Sequence, residues 1–502
     1  MRPLEILLSL ANLLTFCILV ILQRHTIQWR GYLALIAVLI AGVQVLAEGP
    51  RWQMIPAYAL TGVFLLVGLL QNFAPVGGIL QQILNNRFAI GLSVGVGILG
   101  LAVSIALPTV LPVFRFPRPN GSYQIGTVTY HWVDTSRHEI FSADSNAYRE
   151  LRMQVWYPAK GDTSSPRAPY MQDADSVAPV LARLFHLPEF AFRHFKYVTT
   201  NATSSIPMTT DKSIYPVLIF LTGLNGFRQS NTFQIEELVS HGYIVAALDQ
   251  PYASALVVFP DGHQLTGLTR DQMQPFIQQS LSPAEKAPML NGQALKNGII
   301  PYFAQDVSFT LDQLTALDKT DPNGILAGRL DLQHVGTFGI SLGAMVASEA
   351  CHMDPRLQAC LMMDAAMPAD VVQAGLQQPS LWITRDADMM RLERQRSGGW
   401  SEADITQTLT TMRAVFEKSL PGEGYYVQVP GMFHVNFTDA PYFSPLTPQL
   451  GIAGPIDAQR GFDIVNAYSV AFFDQHLEGR PAALLDGLSK HYPEVLFETR
   501  QP

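Results

Sequence analysis

Charged side chains are scarce in this chain of 502 residues, of which 15% are charged and 48% apolar. Soluble domains have about 25% charged residues, so part of the chain is predicted to lie in an apolar environment. Residues 1–118 contain seven Arg, no Lys and two Glu, a net charge of +5. The whole chain has a net charge of −8, which leaves −13 for residues 119–502. An acidic remainder argues against nucleic acid as a partner.

Cysteine is also scarce, with three residues, Cys17, Cys351 and Cys360. Three cysteines are too few for a disulfide framework. Cys17 lies in an apolar stretch, and the other two are predicted to be small core residues. Cysteine usage therefore does not indicate a redox compartment. The sequence also lacks internal repeats and long low-complexity tracts, so a repeat architecture is not indicated.

Four apolar runs near the N-terminus contain no Lys, Arg, Asp or Glu. They are residues 6–23, 31–47, 54–73 and 88–114. Each has, or nearly has, the ~20 residues that a membrane-spanning helix needs. A signal peptide fits poorly, because no small-residue cleavage site follows the first run and three more runs do. We therefore predict an all-α transmembrane region of about four helices over residues 1–118, in contact with membrane lipid, and a multi-pass membrane location.

The side of the membrane that faces the C-terminal domain stays open. With four spans, the N-terminus and that domain share one side, which would have four arginines against three on the other. The first group is Arg2, Arg51, Arg115 and Arg118, and the second is Arg24, Arg30 and Arg87. This difference gives no positive-inside bias. The runs contain no ionisable groups of the kind a transport path needs, so an anchor is the expected role.

Prolines, glycine and arginines in residues 114–122 end the last apolar run and predict a linker. Residues 119–502 then form one predicted domain, in which short apolar runs alternate with helical patterns. The runs predicted as buried strands are 215–221, 243–248, 335–340, 359–363, 379–384 and 425–429. This alternation predicts an α/β fold with a mostly parallel sheet and helices on both faces. Ligands bind such sheets beyond the carboxyl ends of the strands.

A Gly-Ile-Ser-Leu-Gly pentapeptide at residues 339–343 follows one of these strands and precedes a helix-prone run. Strand, sharp turn and helix are the context of a nucleophile elbow, so Ser341 is the predicted nucleophile. Gly339 and Gly343 would let the strand and the helix approach closely enough to hold the strained serine. Short Gly/Ser patterns also arise by chance, and the alternative is a structural turn with an idle hydroxyl.

A serine hydroxyl needs an imidazole as base and a carboxylate that orients the imidazole. His434, in the loop after the last strand, is the predicted base. Asp364 follows the strand after the elbow, and Asp386 and Asp388 follow the next one. The residues alone leave the choice of acid open. The order Ser, Asp, His is that of the α/β-hydrolases.

An oxyanion hole requires two backbone N–H groups. One is predicted to come from Leu342, the residue after the nucleophile. The other is predicted to come from the glycine loop after the strand at 215–221, where Leu224 is the first choice and Asn225 the second.

Five stretches resemble the plasma type of platelet-activating factor acetylhydrolase, an α/β-hydrolase, over roughly residues 124–480. They are Pro-Val-Leu-Ile-Phe-Leu-Thr-Gly-Leu at 216–224, Ser-His-Gly-Tyr-Ile-Val-Ala-Ala at 240–247, the elbow, Ala-Cys-Leu-Met-Met-Asp-Ala at 359–365 and Gly-Met-Phe-His-Val-Asn-Phe at 431–437. The resemblance implies Asp364 as the acid, Leu224 and Leu342 as oxyanion donors, and no metal or cofactor. It also implies cleavage of short or oxidised acyl chains from phospholipids.

The sequence and the resemblance together predict an α/β-hydrolase domain preceded by a transmembrane bundle. The predicted activity is that of a serine carboxylic-ester hydrolase that acts on phospholipids through an acyl-enzyme. The alternatives are an esterase or lipase for another acyl substrate, and a non-catalytic membrane sensor with a hydrolase fold. Acyl length, head group and oligomeric state stay open.

Overall fold

The structure, a computed structural model, describes residues 1–18, 30–70, 87–161, 165–421 and 423–500. The chain divides into two compact units. The first consists of Met1–Phe114 with two later segments, His186–Val198 and Phe443–Pro445. The second consists of Arg115–Phe185, Thr199–Tyr442 and Leu446–Pro502. The predicted domain boundary between residues 118 and 119 therefore falls within the second unit, four residues after its start, and the assignment of a function to each unit stays a prediction.

Four helices in the first unit correspond to the four apolar runs. They are α1 (Pro3–Phe16), α2 (Arg30–Glu48), α3 (Ile55–Leu70) and α4 (Arg87–Val110). Two stretches, Trp52–Leu70 and Gly91–Val110, are long and apolar enough to cross a bilayer. The apolar helices Pro3–Phe16 and Tyr32–Glu48 are shorter. Four spans therefore stay a prediction, and residues 19–23 and 71–73 of the predicted runs lie outside the described residues.

Polar side chains in the first unit lie between its helices and are hydrogen-bonded there. Asn12 is fully buried and donates to the Ala57 carbonyl over 3.0 Å, while the Thr61 hydroxyl donates to Asn12 over 2.9 Å. Glu5 and Arg51 form a buried ion pair of 2.6 Å. These hydrogen bonds and the ion pair offset the free energy that is lost when polar groups are removed from water.

The second unit contains an eleven-stranded sheet among its described residues. Its strands are β1 (Gln124–His138), β2 (Tyr148–Ala159), β3 (Arg167–Pro169), β4 (Thr199–Ser204), β5 (Tyr215–Leu221), β6 (Ile244–Asp249), β11 (Leu330–Ile340), β12 (Leu357–Met363), β13 (Ser380–Thr384), β14 (Gly424–Gln428) and β15 (Leu496–Thr499). Their order in the sheet is β15-β14-β13-β12-β11-β5-β6-β2-β1-β4-β3. Two hairpins stand apart from this sheet, β7 (Leu256–Val258) with β8 (Gln264–Thr266), and β9 (Met289–Leu290) with β10 (Gln293–Ala294).

The six central strands, from β6 to β14, are parallel to one another, and antiparallel strands flank them. Every residue of β5 and β6 is buried, as expected of strands covered on both faces. The helices of this unit are α5 (Ala174–Leu184), α6 (Thr232–Ser240), α7 (Arg270–Leu281), α8 (Ile300–Lys319), α9 (Leu342–Met353), α10 (Ala369–Ala374), α11 (Ala387–Ser397), α12 (Glu402–Phe416) and α13 (Ala458–Leu477). The predicted parallel-rich α/β architecture is confirmed.

Cys351 in α9 and Cys360 in β12 form a disulfide bond. Both side chains are buried, as predicted for small core residues, but the bond between them was not predicted. The bond forms because α9 packs against β12, the strand beside the one it follows, and brings the two Cα atoms within 6.7 Å. The cysteines are nine positions apart in the sequence, on a helix and on the following strand, and their contact depends on how these two elements pack.

Candidate active site

Ser341 lies in a sharp turn between β11 and α9, with φ 56° and ψ −123°. This is a left-handed conformation that costs free energy for any residue except glycine. The turn is possible because its two glycines lack a Cβ. A Cβ on Gly339 would lie 2.3 Å from the Gly343 carbonyl oxygen, and one on Gly343 would lie 2.0 Å from the Leu221 oxygen. The local geometry is therefore the strand, turn and helix that the pentapeptide predicts.

Asp364 follows β12 directly and contacts the predicted base. Its Oδ2 atom is 2.6 Å from Nδ1 of His434. The Asp364 side chain is fully buried, whereas that of His434 is 23% exposed. With Nδ1 held by the carboxylate, Nε2 is the ring nitrogen that remains to take a proton from a nucleophile.

The other two candidate acids have different roles in the structure. Asp386 is the N-cap of α11, where its side chain accepts a hydrogen bond of 2.8 Å from the Met389 amide. Asp388 is exposed and pairs with Arg391 over 3.0 Å. Among the three carboxylates, Asp364 is the one that contacts His434.

Arg385, which was not among the predicted site residues, is part of the same buried network. Its Nε atom donates to Asp364 Oδ2 over 2.9 Å, and its Nη1 atom donates to Glu393. The Thr384 hydroxyl donates to the other Asp364 oxygen over 3.1 Å. Burial raises the pKa of Asp364, but the charges of Arg385 and His434 and their hydrogen bonds outweigh it and hold that pKa below its ordinary value. The sequence feature that could have indicated a role for Arg385 is its position directly after the strand Ser380–Thr384.

Ser341 and His434 line the same cavity, which has a volume of about 550 Å³. Trp400 also lines it, and its ring lies edge-on to the His434 ring with a centroid distance of 5.1 Å. The Arg385 guanidinium lies over the same Trp400 ring, with its Cζ atom 5.1 Å from the ring centroid. Trp400 was missed because it lies in a loop whose sequence has no catalytic pattern.

The glycine loop after β5 passes close to the serine, since a Cβ on Gly223 would lie 3.2 Å from Ser341 Cβ. Asn225, the second choice for an oxyanion donor, already donates its backbone N–H to Ala253 over 2.7 Å. Leu224 and Leu342 both line the cavity. Leu342 is the first residue of α9, so its N–H has no acceptor within the helix. The geometry thus leaves Leu224 and Leu342 as the pair of candidate donors.

A serine in an elbow, an aspartate–histidine pair and two amides at one cavity are the parts of a serine hydrolase. Together with the parallel sheet, they are typical of the α/β-hydrolase fold.

Residues 109–482 match the family model of platelet-activating factor acetylhydrolase, isoform II. The chain is similar to platelet-activating factor acetylhydrolase of Canis lupus familiaris, with 22% identity over 382 residues, 72% of this chain and 77% of the relative. It is also similar to a probable 1-alkyl-2-acetylglycerophosphocholine esterase of Arthroderma benhamiae, with 24% identity over 298 residues, 56% of this chain and 66% of the relative.

Among solved structures, the chain is similar to a ferulic acid esterase from Streptomyces cinnamoneus. The TM-score is 0.58 and the identity 26%, over 77% of this chain and all of that one. The chain therefore belongs to the platelet-activating factor acetylhydrolase isoform II family, and it is a carboxylic-ester hydrolase.

Proposed function

We propose that Ser341, Asp364 and His434 form a catalytic triad that hydrolyses acyl esters of phospholipids. His434 Nε2 takes the Ser341 hydroxyl proton as Oγ attacks the ester carbonyl carbon. The N–H groups of Leu224 and Leu342 stabilise the oxyanion of the tetrahedral intermediate. When this intermediate collapses, the bond to the alcohol breaks, and His434 donates its proton to the departing lyso-phospholipid oxygen.

The remaining acyl-enzyme is hydrolysed in the second half of the reaction. His434 removes a proton from a water molecule, whose oxygen attacks the acyl carbon. Collapse of the second intermediate releases the carboxylic acid and returns the proton to Ser341. Asp364 stays ionised throughout and stabilises the imidazolium. The contact of 2.6 Å between Asp364 and His434, at the cavity of a strained serine, is the observation that supports this proposal best.

The proposed substrates are phospholipids with a short or oxidised acyl chain. Family membership supports this class, because relatives are named for the acetyl ester of an alkyl glycerophosphocholine. The test is hydrolysis of phospholipid esters from acetyl to palmitoyl by the full chain in detergent, with Ser341→Ala as control. Turnover that depends on Ser341 and falls with acyl length is expected.

The likeness to a ferulic acid esterase favours a second candidate, hydrolysis of another ester class. Turnover that depends on Ser341 but is confined to neutral or aromatic esters would keep the mechanism and contradict the phospholipid substrate. Equal turnover by Ser341→Ala would contradict the mechanism itself. Failure of a fluorophosphonate probe to label Ser341 in the folded protein would favour the non-catalytic sensor.

We further propose that the first unit is a multi-pass membrane anchor. Its helices expose large apolar side chains and bury polar ones, the reverse of a soluble bundle: Leu39 is 68% exposed and Leu99 65%, whereas Asn12 is buried. Resistance of the protein to alkaline extraction from membranes, and release by detergent, are expected. Release by alkali alone would contradict the anchor.

The disulfide between Cys351 and Cys360 supports an oxidising compartment for the catalytic domain, because such bonds are rare where thiols are kept reduced. The domain is therefore proposed to lie on the side of the membrane away from the cytosol. A C-terminal alkaline phosphatase fusion should be active, and a C-terminal reporter that works only in the cytosol should not. The opposite pattern would contradict this orientation.

A further inference from the structure

Helix α7 lines the cavity with a face that changes from polar to apolar along its axis. Arg270 and Gln274 lie at its N-terminal end, and Ile277 and Leu281 at its C-terminal end, and all four line the cavity of Ser341. The spacings of four, three and four residues put these side chains on one face. At 1.5 Å per residue the face extends about 16 Å, so its two ends would contact different parts of an elongated ligand.

The apolar end of this face is continuous with the hydrophobic core. Ile277 and Leu281 are 5% and 8% exposed, and both belong to the large core cluster of the second unit. Met345, on the helix that follows the nucleophile, lines the cavity as well and packs against the same cluster. These side chains give an acyl chain an apolar surface, and an ionic group there would lose its hydration without a partner.

The polar end contains the one guanidinium among the described lining residues. Arg270 is exposed, and its side chain makes no hydrogen bond or ion pair with another described residue. Its Nη1 atom is 3.9 Å from the position that a Cβ would occupy on Gly399, which also lines the cavity. The guanidinium is thus beside the cavity wall with its donors free for a ligand.

The acidic side chains of the cavity are already occupied. Glu393 pairs with Arg385, and Asp404 accepts a hydrogen bond of 2.9 Å from the Ser401 amide. Neither carboxylate attracts an anion, whereas the guanidinium of Arg270, the one arginine or lysine among the described lining residues, does. The N-terminal end of α7 is therefore a favourable position for an anionic group of a ligand.

We propose that Arg270 binds the phosphodiester of the substrate and thereby orients it along α7, with the acyl chain towards Ile277 and Leu281. This inference rests on the proposed function and adds a specificity-determining residue to it. A guanidinium presents paired N–H donors that match two phosphate oxygens, a geometry that lysine lacks. The phosphate is unchanged in the reaction, so the contact acts on binding and not on bond breaking.

The test compares two acetyl esters that differ in charge, a soluble 2-acetyl phospholipid below its micellar concentration and p-nitrophenyl acetate. In Arg270→Gln, KM for the phospholipid should rise at least about tenfold while kcat changes little, because a charge-assisted contact common to ground and transition states is lost. Both constants for p-nitrophenyl acetate should stay within about twofold, since this ester has no phosphate. Arg270→Lys should have an intermediate KM, because it keeps the charge without the paired donors.

Lys286→Gln is the matched control, since it removes one exposed positive charge shortly after α7 and outside this cavity. It should behave as the wild type with both esters. The inference is wrong if Arg270→Gln has an unchanged KM for the phospholipid, or if it loses activity equally on both esters. If the wild type itself does not prefer the phospholipid, the proposed substrate is wrong and the inference falls with it. The first two results leave the proposed function intact, so the two failures are distinguishable.

Discussion

Arg385 and Asp364 form an ion pair in which both side chains are fully buried. Nε of Arg385 is 2.9 Å from the same carboxylate oxygen that Nδ1 of His434 approaches to 2.6 Å. One oxygen atom thus accepts from two donors that differ in function, since His434 is the proposed base and Arg385 neutralises buried charge. This arrangement holds Asp364 ionised at neutral pH despite its burial.

Arg385→Met should lower the free energy of unfolding by about 3–5 kcal/mol at pH 7, because it leaves Asp364 and Glu393 buried without their cation. The loss should be smaller at pH 4. Without the charge of Arg385 the pKa of the buried Asp364 carboxyl rises, and its protonation removes the uncompensated charge. In the wild type the folded pKa of Asp364 is below its ordinary value, so its ionisation stabilises the fold above that value and the contribution disappears as the pH falls through the folded pKa.

Urea unfolding of the two proteins at pH 7 and pH 4 measures this difference. Arg391→Met is the control, since Arg391 pairs with Glu402 on the surface and its loss should shift the midpoint little at either pH. A loss for Arg385→Met that is equal at both pH values would contradict the electrostatic explanation.

Asp364→Asn and Asp386→Ala should separate the catalytic from the structural carboxylate. Asp364→Asn should lower kcat by about 10⁴, because an amide cannot hold the imidazole in the required tautomer. Asp386→Ala should retain kcat and cost about 1 kcal/mol of stability through loss of the α11 cap. Steady-state hydrolysis and thermal unfolding of each variant provide the measurements. Reversed effects on kcat would identify Asp386 as the acid.

Gly223→Ala should impair catalysis more than stability. The new Cβ would be 3.2 Å from Ser341 Cβ and 3.4 Å from the Ile340 carbonyl oxygen, so the loop that contains Leu224 must shift by a few tenths of an ångström. A displaced oxyanion donor should lower kcat about tenfold or more. The melting temperature, measured alongside, should change by only a few degrees. Gly487→Ala is the control, because a new Cβ there meets nothing within 4 Å, the backbone φ is not positive, and the residue does not line the cavity of Ser341.

Removal of the disulfide should destabilise the second unit. Cys351→Ala with Cys360→Ala should cost about 2–3 kcal/mol, since the bond closes a short loop in the unfolded chain. The same loss should follow full reduction of the wild type, whereas Cys17→Ser should have no effect. Thiol labelling of the unfolded, unreduced protein should modify Cys17 alone. Labelling of all three cysteines would show that the bond does not form.

The strands and the elbow could be predicted because their signals are local. The apolar run at 215–221 coincides with β5, and the run at 359–363 lies within β12. The polar sequence of α11 gave no such signal, since Met390 and Glu393 are its only buried residues. Strand β15 was missed because it is short and pairs at the edge of the sheet.

The contacts within the site could not be predicted in the same way, because they join distant segments. The choice between Asp364 and Asp386 depends on which carboxylate faces a loop some 50 to 70 residues away, and a sequence does not encode that direction locally. Arg385, Trp400 and Arg270 lie in segments without catalytic motifs, and their positions near Ser341 or Asp364 arise from the tertiary structure. The disulfide depends likewise on the packing of α9 against β12.

The bond between Cys351 and Cys360 also has a consequence for thermal inactivation. It joins the helix that begins after Ser341 to the strand that ends before Asp364. The segments that hold Ser341 and Asp364 therefore cannot separate while the disulfide is intact. His434 lies on a short 3-10 segment held by non-covalent contacts alone among the described residues. On heating, the imidazole should therefore leave first, and activity should disappear at a lower temperature than the sheet unfolds.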